Sequence, residues 1–296
     1  MSKSVLVLRA CNADMSSKKG FIWPTSGPVE CSDWEPTDEC GNGLHGWLHG
    51  HGDGNVSNYT ADDCKWLVVK VKNKYIIDLA DKVKFKKGTV VFCGDRKGAT
   101  DYLITNDPIA STKPVIGSEI HTLKRYSQAI GTDFSNVSVK DNSLAVSRYR
   151  GVSNGEEFSV CISGKYGKAI SGVDSLSYTD DNGESISRRY GVSISGYNGK
   201  SFSGDCGIAI SSYFGTSKCG DVGISVSREG GSVSAGEGGI IIIQYRENSR
   251  WHFAIGRIGE GGLEPNVAYT LDKHYNFVKV SDKIDTCEPL CDDSST

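Results

Sequence analysis

From Leu144 to Gly239 the chain divides into twelve consecutive blocks of eight residues with no gap between them. They read LAVSRYRG, VSNGEEFS, VCISGKYG, KAISGVDS, LSYTDDNG, ESISRRYG, VSISGYNG, KSFSGDCG, IAISSYFG, TSKCGDVG, ISVSREGG and SVSAGEGG. The eighth place is Gly in ten blocks and Ser in the other two. A period this short leaves room for one strand of about four residues and one tight turn, so the array predicts a β-solenoid. The closing glycine is expected to supply the positive φ of each turn.

The first places of successive blocks show a second layer. From Val160 they alternate between apolar and polar: Val160, Lys168, Leu176, Glu184, Val192, Lys200, Ile208, Thr216, Ile224 and Ser232. The true unit is therefore two blocks, a sixteen-residue coil with two strands. Six coils stacked at the interstrand spacing give a parallel β-roll roughly 30 Å long. Side chains alternate across a strand, so places one and three share one face and two and four the other. Places two and four are small, as in Ala145/Ser147, Cys161/Ser163 and Ser193/Ser195, and suit a thin interior. The outer places of the odd blocks then carry Leu144, Val146, Val160, Ile162, Val192, Ile194, Ile208, Ile210, Ile224 and Val226. A stripe of this kind is expected to be an oligomer interface, since large apolar surfaces on soluble proteins mark association sites.

Blocks such as Ile208-Ala-Ile-Ser and Gly191-Val-Ser-Ile-Ser-Gly resemble the head repeats of trimeric autotransporter adhesins. The resemblance covers residues 144–239 and implies a trimer joined through an apolar strand face, hence a homotrimer as partner state. The chain shows no stalk or anchor of that family, so adhesion is not carried over. The layout also resembles a group of phage and viral proteins, through Cys40-Gly-Asn-Gly-Leu-His-Gly46, Ala235-Gly-Glu-Gly-Gly-Ile240 and Tyr269-Thr-Leu-Asp272. That likeness implies a viral source, with a role in the virion or the host cytoplasm and another viral or host protein as a further partner.

The flanks differ in texture. Residues 1–130 read as a mixed α+β domain. Ser4–Ala10, Trp66–Lys72, Tyr75–Asp78 and Gly88–Cys93 have strand patterns, and Lys97–Ile104 and Ser118–Ala129 carry apolar residues at helical spacing. Residues 240–280 predict two β-hairpins, a cap for the solenoid, and 281–296 an acidic tail. The fold class expected is mainly β, with an N-terminal α+β domain, a central parallel β-solenoid and C-terminal hairpins. The opening run Met1–Arg9 is too short an apolar stretch for a signal peptide, and Ile240–Ile243 is far too short to span a bilayer. A net charge of −3 argues against a nucleic-acid partner. The ten cysteines have no tight pairing before the tail and are expected to be mostly reduced, buried small residues.

Chemistry concentrates in Leu44-His-Gly-Trp-Leu-His-Gly-His-Gly-Asp-Gly54. His45, His49, His51 and Asp53, with Cys40 nearby, are ligand types suited to zinc. The interleaved glycines predict a loop, in which His-x3-His spacing carries little information, and no metalloprotease glutamate follows His45. No cofactor is therefore expected, zinc being the one candidate. Arg9, His45 and Tyr59 together suggest a nucleotide-binding cleft; an Arg on an early strand and a His after Gly-Leu resemble ADP-ribosyltransferase-like folds, with Glu119 as the carboxylate to test. The expectation is a structural or binding protein rather than an enzyme, the alternative being a nucleotide- or metal-binding enzyme, ADP-ribosyltransferase-like or a hydrolase, carried on the scaffold.

Overall fold

The computed structural model describes residues 4–17 and 20–280. The chain forms two compact units, Met1–Leu123 with Gln128–Val139 and Ala145–Ser153, and Lys124–Ser127 with Lys140–Leu144 and Asn154–Thr296. It is mainly β, with an N-terminal sheet domain and a central parallel solenoid of sixteen-residue coils.

In the first unit seven strands form one sheet: β1 (Ser4–Cys11), β2 (Gly27–Glu30), β3 (Leu44–Leu48), β4 (Lys65–Lys72), β5 (Ile77–Asp78), β6 (Val83–Phe85) and β7 (Lys87–Gly94), in the order β2-β7-β4-β1-β3-β6-β5. β1 pairs with β4 along its whole length, antiparallel. Both are central and covered on both faces, which is why their sequences run apolar rather than alternating. Leu8, Trp66 and Val68 pack against Ala99 and Leu103 of helix α1 (Arg96–Asn106). Val7, Leu67 and Val69 face Trp23, Val29 and Phe85 on the other side. Asp95 caps α1 by accepting from Gly98 N at 2.7 Å.

The helical spacing of Ser118–Ala129 does not become a helix. Strands Glu119–His121 and Gln128–Ile130 occupy it, with Leu123 85% exposed and Tyr126 at φ +57°. A left-handed residue ends any helix, and here it keeps the register of the repeat: positive φ recurs at Tyr126, Phe134, Asn142 and Arg150. The polar passage Gly131–Asn142 likewise holds a strand, Asn136–Val139, parallel to Glu119–His121. Coil geometry thus starts ahead of the sequence repeat.

In the second unit the odd-block strands stack in register. Val160, Leu176, Val192, Ile208, Ile224 and Ile240 form one ladder, and Ile162, Tyr178, Ile194, Ile210, Val226 and Ile242 the next. The even-block strands Lys168–Ile170, Glu184–Ile186, Lys200–Phe202, Thr216–Lys218 and Ser232–Ser234 stack the same way. Places two and four are inside: Cys161, Ser163, Ser177, Ser193, Ser195 and Ser201 are all buried. A buried hydroxyl needs a partner, and serine finds one across the thin coil. Ser177, Ser193, Ser201 and Ser217 donate to the carbonyls of Ile186, Phe202, Ile210 and Val226 at 2.5, 2.5, 2.6 and 2.6 Å. These bonds tie one sheet to the other, which alanine at the same places does not do. Cys161 and Cys219 take serine places, and burial pushes both thiols up to about 12, leaving them unreactive near neutrality. The eight cysteines among the described residues are all free thiols, five of them buried; Cys287 and Cys291 lie outside the described residues.

The closing glycines work differently from the expectation. The left-handed residue of each turn is place seven, held by Tyr166, Tyr190, Asn198, Phe214 and Val222 among others. Place eight is glycine for lack of space. A Cβ on Gly191 would lie 2.5 Å from Ser187 Cβ, and one on Gly199 2.7 Å from Ser195 Cβ. The chain folds back directly over the fourth place of its own strand, so these glycines leave little room for a Cβ, although Ser159 and Ser175 are accommodated at the eighth place of their own turns.

At the C-terminal end the interior widens. Ile241 and Ile243 take inner places and pack with Val233, Ala235, Ile258 and Tyr269. Strand Ile240–Glu247 turns through Asn248 and Ser249, both at positive φ, into antiparallel Arg250–Arg257. Tyr269–Leu271 and Phe277–Lys279 form the second hairpin, paired to the last even strand through Val233 and Tyr269. The tail expected at 281–296 lies outside the described residues.

Candidate functional site

Two sites emerge. The first is the outer face of the odd-block strands. Val160, Ile162, Val192, Ile194, Ile208, Ile210, Ile224 and Val226 are each half-buried, covered along the ladder by one another but open above it. Leu144 and Val146 are half-buried on the strand Leu144–Val146. The face is wider than the ten residues suggested by the sequence. Leu176 and Tyr178 belong to it, from a block whose fourth place is Thr rather than Ser. The hairpin extends it further, because antiparallel partners share a face: Ile242 lies opposite Ile255, and Gln244 opposite Phe253. Ile255 and Phe253 are 65% and 59% exposed. The signal for this was present in Trp251-His-Phe-Ala-Ile, whose alternation matches a strand with one apolar side.

The opposite sheet carries Lys168, Glu184, Lys200, Thr216 and Lys218 in outer places, alternating with Ile170, Ile186 and Phe202. Lys168 and Glu184 pair at 3.1 Å, and Lys165 with Asp181, one coil on, also at 3.1 Å. The Lys165 hydrogen bond, then that from Tyr197 N, holds the Asp181 carboxyl below its ordinary range.

The second site lies wholly in the first unit. The structure divides the histidine cluster. His45 sits on β3, whereas His49 and His51 follow it in the loop. His49 Nδ1 meets Asp107 Oδ2 at 2.6 Å, and His51 Nε2 lies 3.3 Å from the Ala110 carbonyl, so both anchor the segment after α1. Asp53 accepts from Asn55 N at 2.8 Å and caps a short 3-10 turn. Among the described residues no group of three or more His, Cys, Asp or Glu is placed to hold a metal ion.

His45 instead joins Arg9 and Tyr59 at a cavity of about 760 Å³ whose lining also includes Trp23, Cys40 and Lys82. Glu119 is not part of that lining. The Arg9 guanidinium lies 4.9 Å from the Tyr59 ring centre and 5.6 Å from that of Trp23. It is hydrogen-bonded to Tyr59, and burial lowers its pKa. Burial, reinforced by Lys82, Arg9 and Lys84, pushes the His45 imidazole down to about 4, so it is neutral at pH 7. Three polar atoms in this wall are buried without a hydrogen-bond partner: Arg9 Nε, Trp23 Nε1 and His45 Nε2. Sequence reasoning brought Arg9, His45 and Tyr59 together but not Trp23 or Lys82, which come from a loop and a turn with no motif of their own.

A family model described as a domain of unknown function, DUF7666, matches residues 5–101. The chain is also similar to several curated relatives. It is 39% identical over 109 residues to an ice nucleation protein of Xanthomonas campestris pv. translucens, covering 36% of this chain and 7% of that protein. It is 41% identical over 107 residues to an ice nucleation protein of Pseudomonas fluorescens, covering 36% and 9%. Ice nucleation protein InaU of Pantoea ananas is 32% identical over 117 residues, covering 38% of this chain and 11% of the relative. The match thus spans about a tenth or less of these proteins' length. No solved structure matches the chain. No helix among the described residues is long and apolar enough to cross a membrane.

Proposed function

We propose that this chain is a structural or binding protein that assembles with copies of itself through the outer apolar face of its solenoid, as a homotrimer. One observation carries the reading: a continuous apolar strip, aliphatic but for Tyr178 and Phe253 and half-buried along the strands, that runs from Val160 to Ile242 and on to Ile255 and Phe253. Each of these side chains is already partly covered by its neighbours. Burying the rest yields about 1 kcal/mol apiece, or on the order of 10 kcal/mol for the face. Association costs about 4–15 kcal/mol, so the surplus is at most about 6 kcal/mol, and assembly is expected to be reversible with a Kd of roughly tens of micromolar or weaker. The number three follows the resemblance to adhesin heads. In this reading the protein is a virion component or acts in the host cytoplasm, alone or with another viral or host protein, a placement that rests on the sequence layout alone.

The test is the mass of the full chain in solution, by light scattering across a micromolar concentration series, for wild type and an Ile194→Asp/Ile210→Asp variant. The reading expects a trimer that the variant dissociates; an unchanged assembly state in the variant refutes it.

The similarity to ice nucleation proteins supports a second reading of the same solenoid, in which this chain too nucleates ice. In-register stacking repeats equivalent side chains at about 4.8 Å on two flat faces, a regular array against which water can order. Droplet freezing in the presence of the protein separates this reading from the first.

A further inference from the structure

We propose that the cavity between Arg9, Trp23, His45 and Tyr59 is a binding site for a nucleoside phosphate, independent of the solenoid's association. A guanidinium stays protonated under all ordinary conditions, and among the described residues no carboxylate pairs with that of Arg9; its neighbours are the Tyr59 hydroxyl and two aromatic rings. An unpaired buried charge is costly, and a protein that retains one needs an anion from elsewhere. Among the described residues of the lining, Lys82 adds a second cation, and Asp33 is the one carboxylate.

The unpartnered atoms define the rest of the ligand. Arg9 Nε–H and Trp23 Nε1–H are donors lacking an acceptor, as phosphate oxygens supply. The His45 ring is hydrogen-bonded to the Gly43 backbone, and its Nε2 has no partner. In the neutral ring that donates to Gly43, Nε2 is an acceptor and calls for a donor, such as a sugar hydroxyl. Phe21, half-exposed in the lining, offers a ring against which a flat base can stack. The cavity, at about 760 Å³, is within the size range of small-molecule sites. Anion, hydroxyl and flat ring on one small molecule describe a nucleoside phosphate.

Isothermal titration of the full chain with AMP, GMP, CMP and UMP, each alongside its nucleoside and inorganic phosphate, tests this. At least one nucleotide is expected to bind, at least about tenfold more tightly than its nucleoside or phosphate alone. Arg9→Met is expected to abolish that binding while leaving the melting temperature of the unliganded protein unchanged or raised, because it removes an uncompensated charge. A purely structural Arg9, held between its two rings, predicts the reverse: a lower melting temperature. Should Arg9→Met fail to fold, His45→Phe decides: weakened nucleotide binding with the fold kept supports the site, and unaltered binding overturns it. Absence of binding by all four nucleotides up to about 1 mM, a Kd for an affinity of only about 4 kcal/mol, overturns it. So does phosphate binding as tightly as the nucleotides, or binding unaltered in both variants.

Discussion

Replacing Gly191 by alanine tests why this repeat keeps a glycine at ten of its twelve eighth places. Gly191 is not at positive φ, so a general argument predicts that alanine stabilises there, by about 0.4–1 kcal/mol, through the unfolded chain. The structure predicts the opposite. The new methyl would lie 2.5 Å from Ser187 Cβ and 2.7 Å from Ser187 Oγ, with the Arg188 carbonyl 2.9 Å away. A Cβ is fixed to the backbone, so relief requires the turn to lift from the strand. Lifting it strains the Ser187–Ser193 hydroxyl contact at 2.8 Å inside the coil. Overpacking of this kind costs typically about 1–3 kcal/mol, and a weakened buried hydrogen bond about 1 more. The net expectation is a loss of about 1–3 kcal/mol. Gly238→Ala is the control: its φ is +64° and nothing lies closer than 3.9 Å, so only left-handed strain of about 1 kcal/mol applies. Urea denaturation followed by circular dichroism reads both, through the midpoint at constant slope. A Gly191→Ala midpoint equal to or above wild type refutes the clearance argument.

Val222 is a β-branched, 66% exposed residue at φ +56°, so Val222→Asn is expected to stabilise by about 1 kcal/mol, read as a higher urea midpoint. Ser201→Ala removes the hydroxyl that ties Ser195 to the Ile210 carbonyl and should cost about 1–2 kcal/mol in the same assay. His45 has a folded pKa near 4, below the unfolded value near 6.5, so the unfolded chain binds the proton first. Its contribution to stability is complete above about pH 6.5 and is lost as pH falls towards 4; comparing wild type with His45→Gln between those limits should show a shallower decline in the variant. If the chain nucleates ice, droplets containing it should freeze several degrees above buffer, and Ile194→Asp/Ile210→Asp should remove that shift; freezing at the buffer temperature leaves self-association as the role of the face.

Much of the solenoid was readable because the period is short and each place has one physical demand. Small residues at places two and four, as at Cys161/Ser163 and Ser193/Ser195, announce a thin interior, and the paired blocks announce two faces. The role of the eighth-place glycine was not readable, since clearance and positive φ select the same residue; only the distance from Gly191 to Ser187 separates them. Ile120, Leu123, Tyr126 and Ile130 misled by matching helical spacing. Their register against downstream coils, expressed as backbone pairing rather than as side-chain similarity, decided the outcome. The histidine-rich segment was legible as a place where chemistry gathers, but not its division. Alternation along β3 separates His45 from the loop that carries His49 and His51, and strand pairing at β1 brings Arg9 to the same wall. Trp23 reaches that wall from a loop, and no local pattern foretells it.

The assembly state of the full chain tests the central claim most directly. Sedimentation equilibrium at roughly several hundred micromolar should approach three times the 31.9 kDa of one chain, falling towards the monomer on dilution and in Ile194→Asp/Ile210→Asp. A single species of about 32 kDa at every concentration, identical in wild type and variant, would contradict it.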